Sequence, residues 1–191
     1  SRSAPSFFTS LRQGAFHTAS VLTTAGFDTT DYQGWPPFSQ LILFLLFFVG
    51  GCGGSAGGGI KVIRIVALVK LVQVQIKRRI HPRGVFQVHI GRSTFGDELL
   101  LGIASFFGVY LLTGLIGSAV ISLSGVDMLT STSASFLSLG NIGFGFGALG
   151  PGGSFAIFPP WVLWFCSFLM LVGRLELFTV YVLFTKHFWK R

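Results

Sequence analysis

Residues 19 to 28 read ASVLTTAGFD, and residues 136 to 147 read FLSLGNIGFGFG. Laid over each other, Thr24-Ala25-Gly26-Phe27 matches Asn141-Ile142-Gly143-Phe144. Each stretch is followed by a Pro-Pro pair, Pro36-Pro37 and Pro159-Pro160, that opens a new apolar run. A run of small, polar and glycine residues breaks an apolar chain twice in the same way, so the sequence reads as an internal repeat. Its unit is span, short helix, glycine segment, span, and the first copy has no leading span.

The 191 residues are 51% hydrophobic and 10% charged, with 22 Phe, and the mean hydropathy is +0.71. A soluble domain of this size carries about 25% charge. Trp35 to Ile60, Leu99 to Val126 and Met128 to Gly173 contain no Asp, Glu, Lys or Arg. Each exceeds the roughly 20 residues that cross a bilayer. The expectation is therefore an all-α integral membrane protein. The opening SRSAPSFFTSLRQGAF is too polar for a signal peptide or a span, so the chain reads as processed or as part of a larger assembly. Cys52 and Cys166 both lie in apolar stretches and read as packing residues, not as a disulfide or a metal pair.

The net charge is +8, but eight of the fourteen Lys and Arg fall between Lys61 and Arg92, and three more are Lys186, Lys190 and Arg191. Clusters beside apolar spans mark cytoplasmic loops, not a nucleic-acid surface. With those clusters inside, the N-terminus lies outside and the C-terminus inside. Spans are expected after Pro37, from about Leu99 to Leu123, and from about Trp161 to Lys186. Residues 6 to 22 and 128 to 139 are too short to span, have Ser and Thr near their starts, and read as re-entrant helices dipping in from outside. The repeats then occupy residues 1–80 and 98–191, joined by a cytoplasmic linker at 81–97.

Non-helical backbone at membrane depth is tolerated where it is buried in protein or lines a water-filled cavity. Along a pore, carbonyl oxygens can replace an ion's hydration shell, and glycine permits the backbone to aim them inward. The short helices would point their negative C-terminal ends at the same place, favouring a cation. Without carboxylates there, a weakly hydrated monovalent ion is expected over a divalent one.

TTAGF at 23–27, GNIGFG at 140–145, GGCGGSAGGGIKVIR at 50–64 and GRLELFTV at 173–180 resemble the TrkH/KtrB family of potassium transporters, within the Trk/Ktr/HKT superfamily. Members have four linked helix-pore-helix repeats around one ion path. The match runs from the third pore helix to the last helix. The resemblance implies a potassium-channel type of fold, with re-entrant pore helices and a broken, gate-bearing helix. It places Thr23, Thr24, Ala25, Gly26 and Phe27, with Gly140, Asn141, Ile142, Gly143 and Phe144, on one half of a potassium filter. Gly26 and Gly143 are carried over as filter glycines. The second copy has Gly-Asn-Ile-Gly-Phe where many members carry another polar residue or a proline. Two sides of such a filter are missing, so an N-terminal half of the same pore is expected as a partner. The family also implies a bacterial inner membrane location and a homodimer.

The run Gly50-Gly51-Cys52-Gly53-Gly54-Ser55-Ala56-Gly57-Gly58-Gly59 has seven glycines in ten residues. Gly51, Gly53 and Ala56 satisfy a G-x-G-x-x-A dinucleotide fingerprint, but no acidic residue lies about 20 residues on. Gly53 to Gly57 is also a literal G-x-S-x-G elbow, which would make an intramembrane serine hydrolase of Ser55. None of His17, His81, His89 or His187 lies inside a span to serve as its base. The third reading is a break in a spanning helix. Pro37 to Gly50 and Trp161 to Arg174 are both 13 residues, about 20 Å of helix, which puts the loop and Arg174 at equal depth. An intramembrane arginine faces a cavity or a partner, and loop carbonyls or Ser55 are the natural acceptors for Arg174. Glu176, two residues on, does not share its helix face. The resemblance agrees in making this loop the gate and implicating Arg174.

The expected function is potassium-selective translocation down the electrochemical gradient, without covalent chemistry and with no cofactor held by the chain. Membrane lipid surrounds it. The resemblance adds a cytoplasmic nucleotide-binding regulatory subunit at the basic inner surface, with ATP, ADP or NAD bound only by that partner. Besides the hydrolase, a structural membrane subunit without flux is the alternative.

Overall fold

The computed structural model describes residues 7–52, 54–55, 57–81, 88–90, 93–175 and 177–189. Helices α1 (Phe7–Leu22), α2 (Pro37–Leu46), α3 (Val62–Ile80), α4 (Asp97–Ser122), α5 (Met128–Gly140), α6 (Pro160–Arg174), α7 (Leu177–Leu183) and α8 (Lys186–Trp189) follow in chain order. The linker adds what helical patterning does not reveal. Strands β1 (Val88–Ile90) and β2 (Ser93–Phe95) pair antiparallel, with His89 opposite Thr94. Gly53 and Ala56 of the loop, and Glu176, lie outside the described residues.

The short helices fall where the sequence places them, at Phe7–Leu22 and Met128–Gly140. Asp127 caps α5, its carboxylate accepting from Thr130 N at 3.1 Å and from Thr130 Oγ1 at 2.5 Å. A cap of this kind satisfies a donor that the first helical turn leaves free.

The long spans need correction. Glu98–Ser122 is long and apolar enough to cross a membrane, and among the described residues a second such unit arises only if a bent pair is counted as one span. That pair is α6 and α7, which meet at 112°, so the expected rod from Trp161 to Lys186 ends at Arg174. Helix α2 ends at Leu46, not Gly50. The bonds of Phe47, Phe48 and Val49 to Phe44, Leu45 and Leu46 (3.0–3.2 Å) tighten to the i−3 pattern, because Gly50 must turn out to pair with Ile60.

Helix α5 is the axis of the packing, with Thr130, Ser131 and every residue from Ser133 to Gly140 buried. Helix α4 reaches it over Gly114 and Gly117. An added Cβ at Gly114 would lie 2.1 Å from the Phe136 ring, and one at Gly117 would lie 2.3 Å from Ser135 Oγ. Ser135 Oγ donates to the Gly114 carbonyl at 2.7 Å across this contact, the small-residue packing used where apolar burial gives no drive between helices. On the other side α6 buries Val162, Cys166, Leu169 and Val172, one stripe at helical spacing. Cys166 is thus the packing residue expected, whereas Cys52 is exposed on the loop.

At Gly173 helix α6 meets α5 backbone to backbone, since a Cβ there would sit 1.9 Å from the Leu139 carbonyl oxygen. Gly173→Ala should cost about 1–3 kcal/mol through overpacking, seen as a lower unfolding temperature in detergent. Gly108→Ala, with nothing within 4 Å, should leave that temperature unchanged or raise it. Equal stability of the two variants would refute the close α5–α6 approach.

Hydrogen bonds from Thr130 hold the Asp127 carboxyl below its usual range. A lowered folded value means that this contribution is full above the ordinary carboxylate value and is lost as pH falls through the folded one. Acidification below about pH 4 should therefore lower the unfolding temperature more in the unaltered protein than in Asp127→Asn. Parallel acid limbs would refute it.

Candidate ion-path site

Both glycine segments begin with the same helix ending. At the end of α1, Thr24 N donates to Val21 O (3.0 Å) and Ala25 N to Ser20 O (3.0 Å). At the end of α5, Asn141 N donates to Ser138 O (3.1 Å) and Ile142 N to Leu137 O (3.0 Å). The i−5 bond with a left-handed residue at the preceding position is a Schellman ending. Thr24 and Asn141 both have φ of 54°, and Gly26 and Gly143 have φ of 74° and 108°. A β-branched residue rarely adopts positive φ, so Thr24 is held there by its surroundings. Two residues of left-handed φ flank one of negative φ in each copy.

The two segments meet backbone to backbone. A Cβ on Gly26 would lie 2.4 Å from Ile142 O and 3.0 Å from Gly143 Cα, and one on Gly143 would lie 2.9 Å from Gly26 Cα. Neither position admits a side chain. Ser20 Oγ holds the first segment, accepting from Phe27 N at 2.8 Å and donating to Phe27 O at 2.7 Å. Asn141 Nδ2 ties the second to α6 through Met170 O at 3.0 Å. The matched phenylalanines differ: Phe144 is 5% exposed and Phe27 69%. Phe144 packs among His17, Tyr32 and Phe47.

Several supports escape sequence reasoning. Beyond Phe144 the chain is carried on hydroxyls of α5: Phe146 N donates to Ser133 Oγ (2.6 Å) and Ala148 N to Thr130 Oγ1 (3.0 Å). Tyr32 Oη donates to Gly145 O, and Gln33 Nε2 to Gly147 O at 3.2 Å. The run MLTSTSAS reads as a helix start; that its hydroxyls face inward follows only from where the later segment returns.

The glycine loop lies against both segments. Its neck is closed by Gly50 N to Ile60 O (2.8 Å) and Ile60 N to Phe48 O (3.2 Å). Within it, Ser55 N donates to Cys52 O at 2.9 Å and Gly57 N to Ser55 Oγ at 3.1 Å. A Cβ on Gly58 would lie 2.2 Å from Gly140 O, and one on Gly57 would lie 3.4 Å from Thr24 Oγ1. Ser55, Gly57, Gly59 and Arg174 line one cavity of about 70 Å³, so the loop and the arginine do converge. Lys61 and Arg64 line it too; the sequence gives them only as the first of the basic cluster. The Arg64 guanidinium lies over the Phe106 ring at 4.1 Å, a cation–π contact. His17 sits instead against Tyr32 and Trp35, its Nδ1–H donating to Gln13 O at 2.9 Å. Among the described residues no histidine lines the Ser55 cavity, and the hydrolase reading has no support.

A profile for a family described as "TrkH: Cation transport protein" matches residues 5–191. The chain is 38% identical over 186 residues to the Trk system potassium uptake protein TrkI of Halomonas elongata, covering 96% of this chain and 38% of that one. It is 36% identical to the Trk system potassium uptake protein TrkH of Escherichia coli, over 94% of this chain and 37% of that one. The crystal structure of the potassium transporter TrkH from Vibrio parahaemolyticus superposes with a TM-score of 0.89 at 36% identity, covering 98% of this chain and 40% of that chain. The chain thus spans under half the length of these relatives. With the fold, the four motifs and the profile in agreement over nearly all its residues, the chain belongs to the TrkH family of cation transport proteins.

Proposed function

We propose that this chain supplies part of a potassium-selective path through a bacterial inner membrane, conducting the ion down its gradient. The observation that carries the reading is the pair of glycine segments, which share one backbone pattern and meet face to face at Gly26 and Gly143. Alternating left-handed and ordinary φ turns successive carbonyls toward one side, where they can replace potassium's hydration shell. Thr23 to Phe27 and Gly140 to Phe144 are the lining residues. Helices α1 and α5 end at these segments and add the negative end of their dipoles. The potassium uptake activity in the names of the relatives supports the choice of ion.

Residues 1–80 and 98–191 form two repeats of the path in this reading, and 81–97 the cytoplasmic connection, with the N-terminus outside and the C-terminus inside. The remaining sides come from further protein of the same pore. The basic inner surface takes a nucleotide-binding regulatory subunit, and the whole is a homodimer. Residues 50 to 59 and Arg174 are the gate. The loop lies beneath the glycine segments, and the cavity behind it holds three cationic side chains. A unit charge about 8 Å from an ion raises its energy by about 2 kcal/mol at an effective dielectric of about 20. That is enough to oppose potassium until the loop moves.

In vesicles containing the complete pore, Gly26→Ser and Gly143→Ser should each reduce discrimination of potassium over sodium by about tenfold, ~1.4 kcal/mol, measured from competing ion fluxes. Retained discrimination in both would sink the carbonyl-path reading. Arg174→Ala, or shortening residues 52–57, should raise potassium flux, by up to about thirtyfold from the electrostatic figure above. Unchanged flux in a correctly folded variant would remove the barrier role. Absence of any flux from the intact pore would favour a structural subunit.

A further inference from the structure

A second cavity lies away from the ion path, on the outer face of the broken helix. It has a volume of about 670 Å³ and is walled by α2 and the turn after it (Leu45, Phe48, Val49), by α3 (Val69, Val72) and by α4 (Phe107). Its lining is almost wholly carbon, and its size falls within the range of about 300–1,000 Å³ seen for small-molecule sites. Val69 and Val72 stand 53% and 57% exposed on its edge. The exposed stripe of α3 continues through Ile76 and Ile80. The last turn of the same helix carries Lys77, Arg78 and Arg79. Arg79 is exposed and lies seven residues beyond Val72, on the same helix face and about 10 Å farther along the axis.

We propose that this groove holds an anionic phospholipid, one acyl chain lying along Phe48, Val49, Val69 and Val72 and its phosphate at Arg79. The acyl chain alone gives no selectivity, because surrounding lipid tails are as apolar as the groove. Selection comes from charge. One cation at the headgroup favours an anionic over a zwitterionic lipid by about fivefold, equivalent to ~1 kcal/mol. The separation of about 10 Å between Val72 and Arg79 matches the step from mid-chain to headgroup in a bilayer whose hydrocarbon half-thickness is about 15 Å. The inference rests on the chain being embedded in a membrane and not on which ion it carries.

The test is site-specific quenching in vesicles containing the complete protein. Val72→Trp places a fluorophore on the groove's exposed edge, and the signal of the unaltered protein is subtracted. Val69→Trp serves as a second position should the first disturb folding. Vesicles contain one part phosphatidylglycerol to four parts phosphatidylcholine, with bromine on the acyl chains of one lipid at a time. The expected result is quenching by brominated phosphatidylglycerol well beyond its mole fraction. That excess should be lost in Arg79→Gln. Quenching that follows mole fraction would mean bulk lipid only. No quenching by either lipid would mean that protein covers the groove, whether a second copy or another part of the pore. Either of these results overturns the proposal.

Discussion

Gly26 and Gly143 approach until there is no room for a methyl group on either, and most of the architecture can be derived from that contact. Two chain segments can meet so closely only if both have left their helices in the same way. They do so through matched Schellman endings with left-handed Thr24 and Asn141. Backbone strain of this kind costs on the order of 1–3 kcal/mol per residue and persists where the surroundings over-determine it. Here the constraints are visible: Ser20 grips Phe27 from both its N–H and its C=O, and Asn141 is tied to α6. Helix α5 is buried nearly all round to hold the second segment still.

A buried helix with five buried hydroxyl side chains (Thr130, Ser131, Ser133, Ser135 and Ser138) would be costly if those groups only filled space. Most are employed. Ser133 and Thr130 carry the chain after Phe144, Ser135 clasps α4, and Thr130 also binds its cap. The same helix thus provides packing for α4 and α6 and a hydrogen-bonding template for an irregular segment. That double duty explains its small residues: Leu or Phe at position 133 or 135 would fill the volume but leave buried amides or a carbonyl without the added partner.

Much of this was legible because local chemistry and tertiary need coincide. The short helices were readable from Ser and Thr near the starts and glycine segments at the ends. The match of Thr24 to Asn141 and Gly26 to Gly143 followed from motif order alone, and the two pairs have the same sign of φ. The two 13-residue spacings pointed the loop and Arg174 to one place, although α2 stops at Leu46 and does not supply the full length of helix that the spacing assumed. What escaped was set by neighbours instead of periodicity. Nothing in FLLFFVGG tells that winding tightens after Leu46 so that Gly50 can pair with Ile60. Nothing in VGRLELF tells that the helix bends by 112°. A short hairpin in a basic linker has too few residues to show alternation. Phe27 and Phe144 are identical in motif yet opposite in exposure, because burial depends on which elements stand opposite each copy.

The contact between Gly58 and Gly140 carries one more consequence. The loop rests on the carbonyl that ends α5, one residue before the left-handed Asn141, with no side chain between them. A displacement of the loop therefore changes the packing of the segment above it, and a change in that segment alters what the loop rests on. Two sites that share a rigid boundary are thermodynamically linked, and linkage is reciprocal. Whatever free energy an occupant of the upper segments exerts on the loop, the loop's position exerts equally on that occupant's affinity. If the segments hold the ion and the loop closes the path, as proposed above, occupancy and closure would be two readings of a single equilibrium.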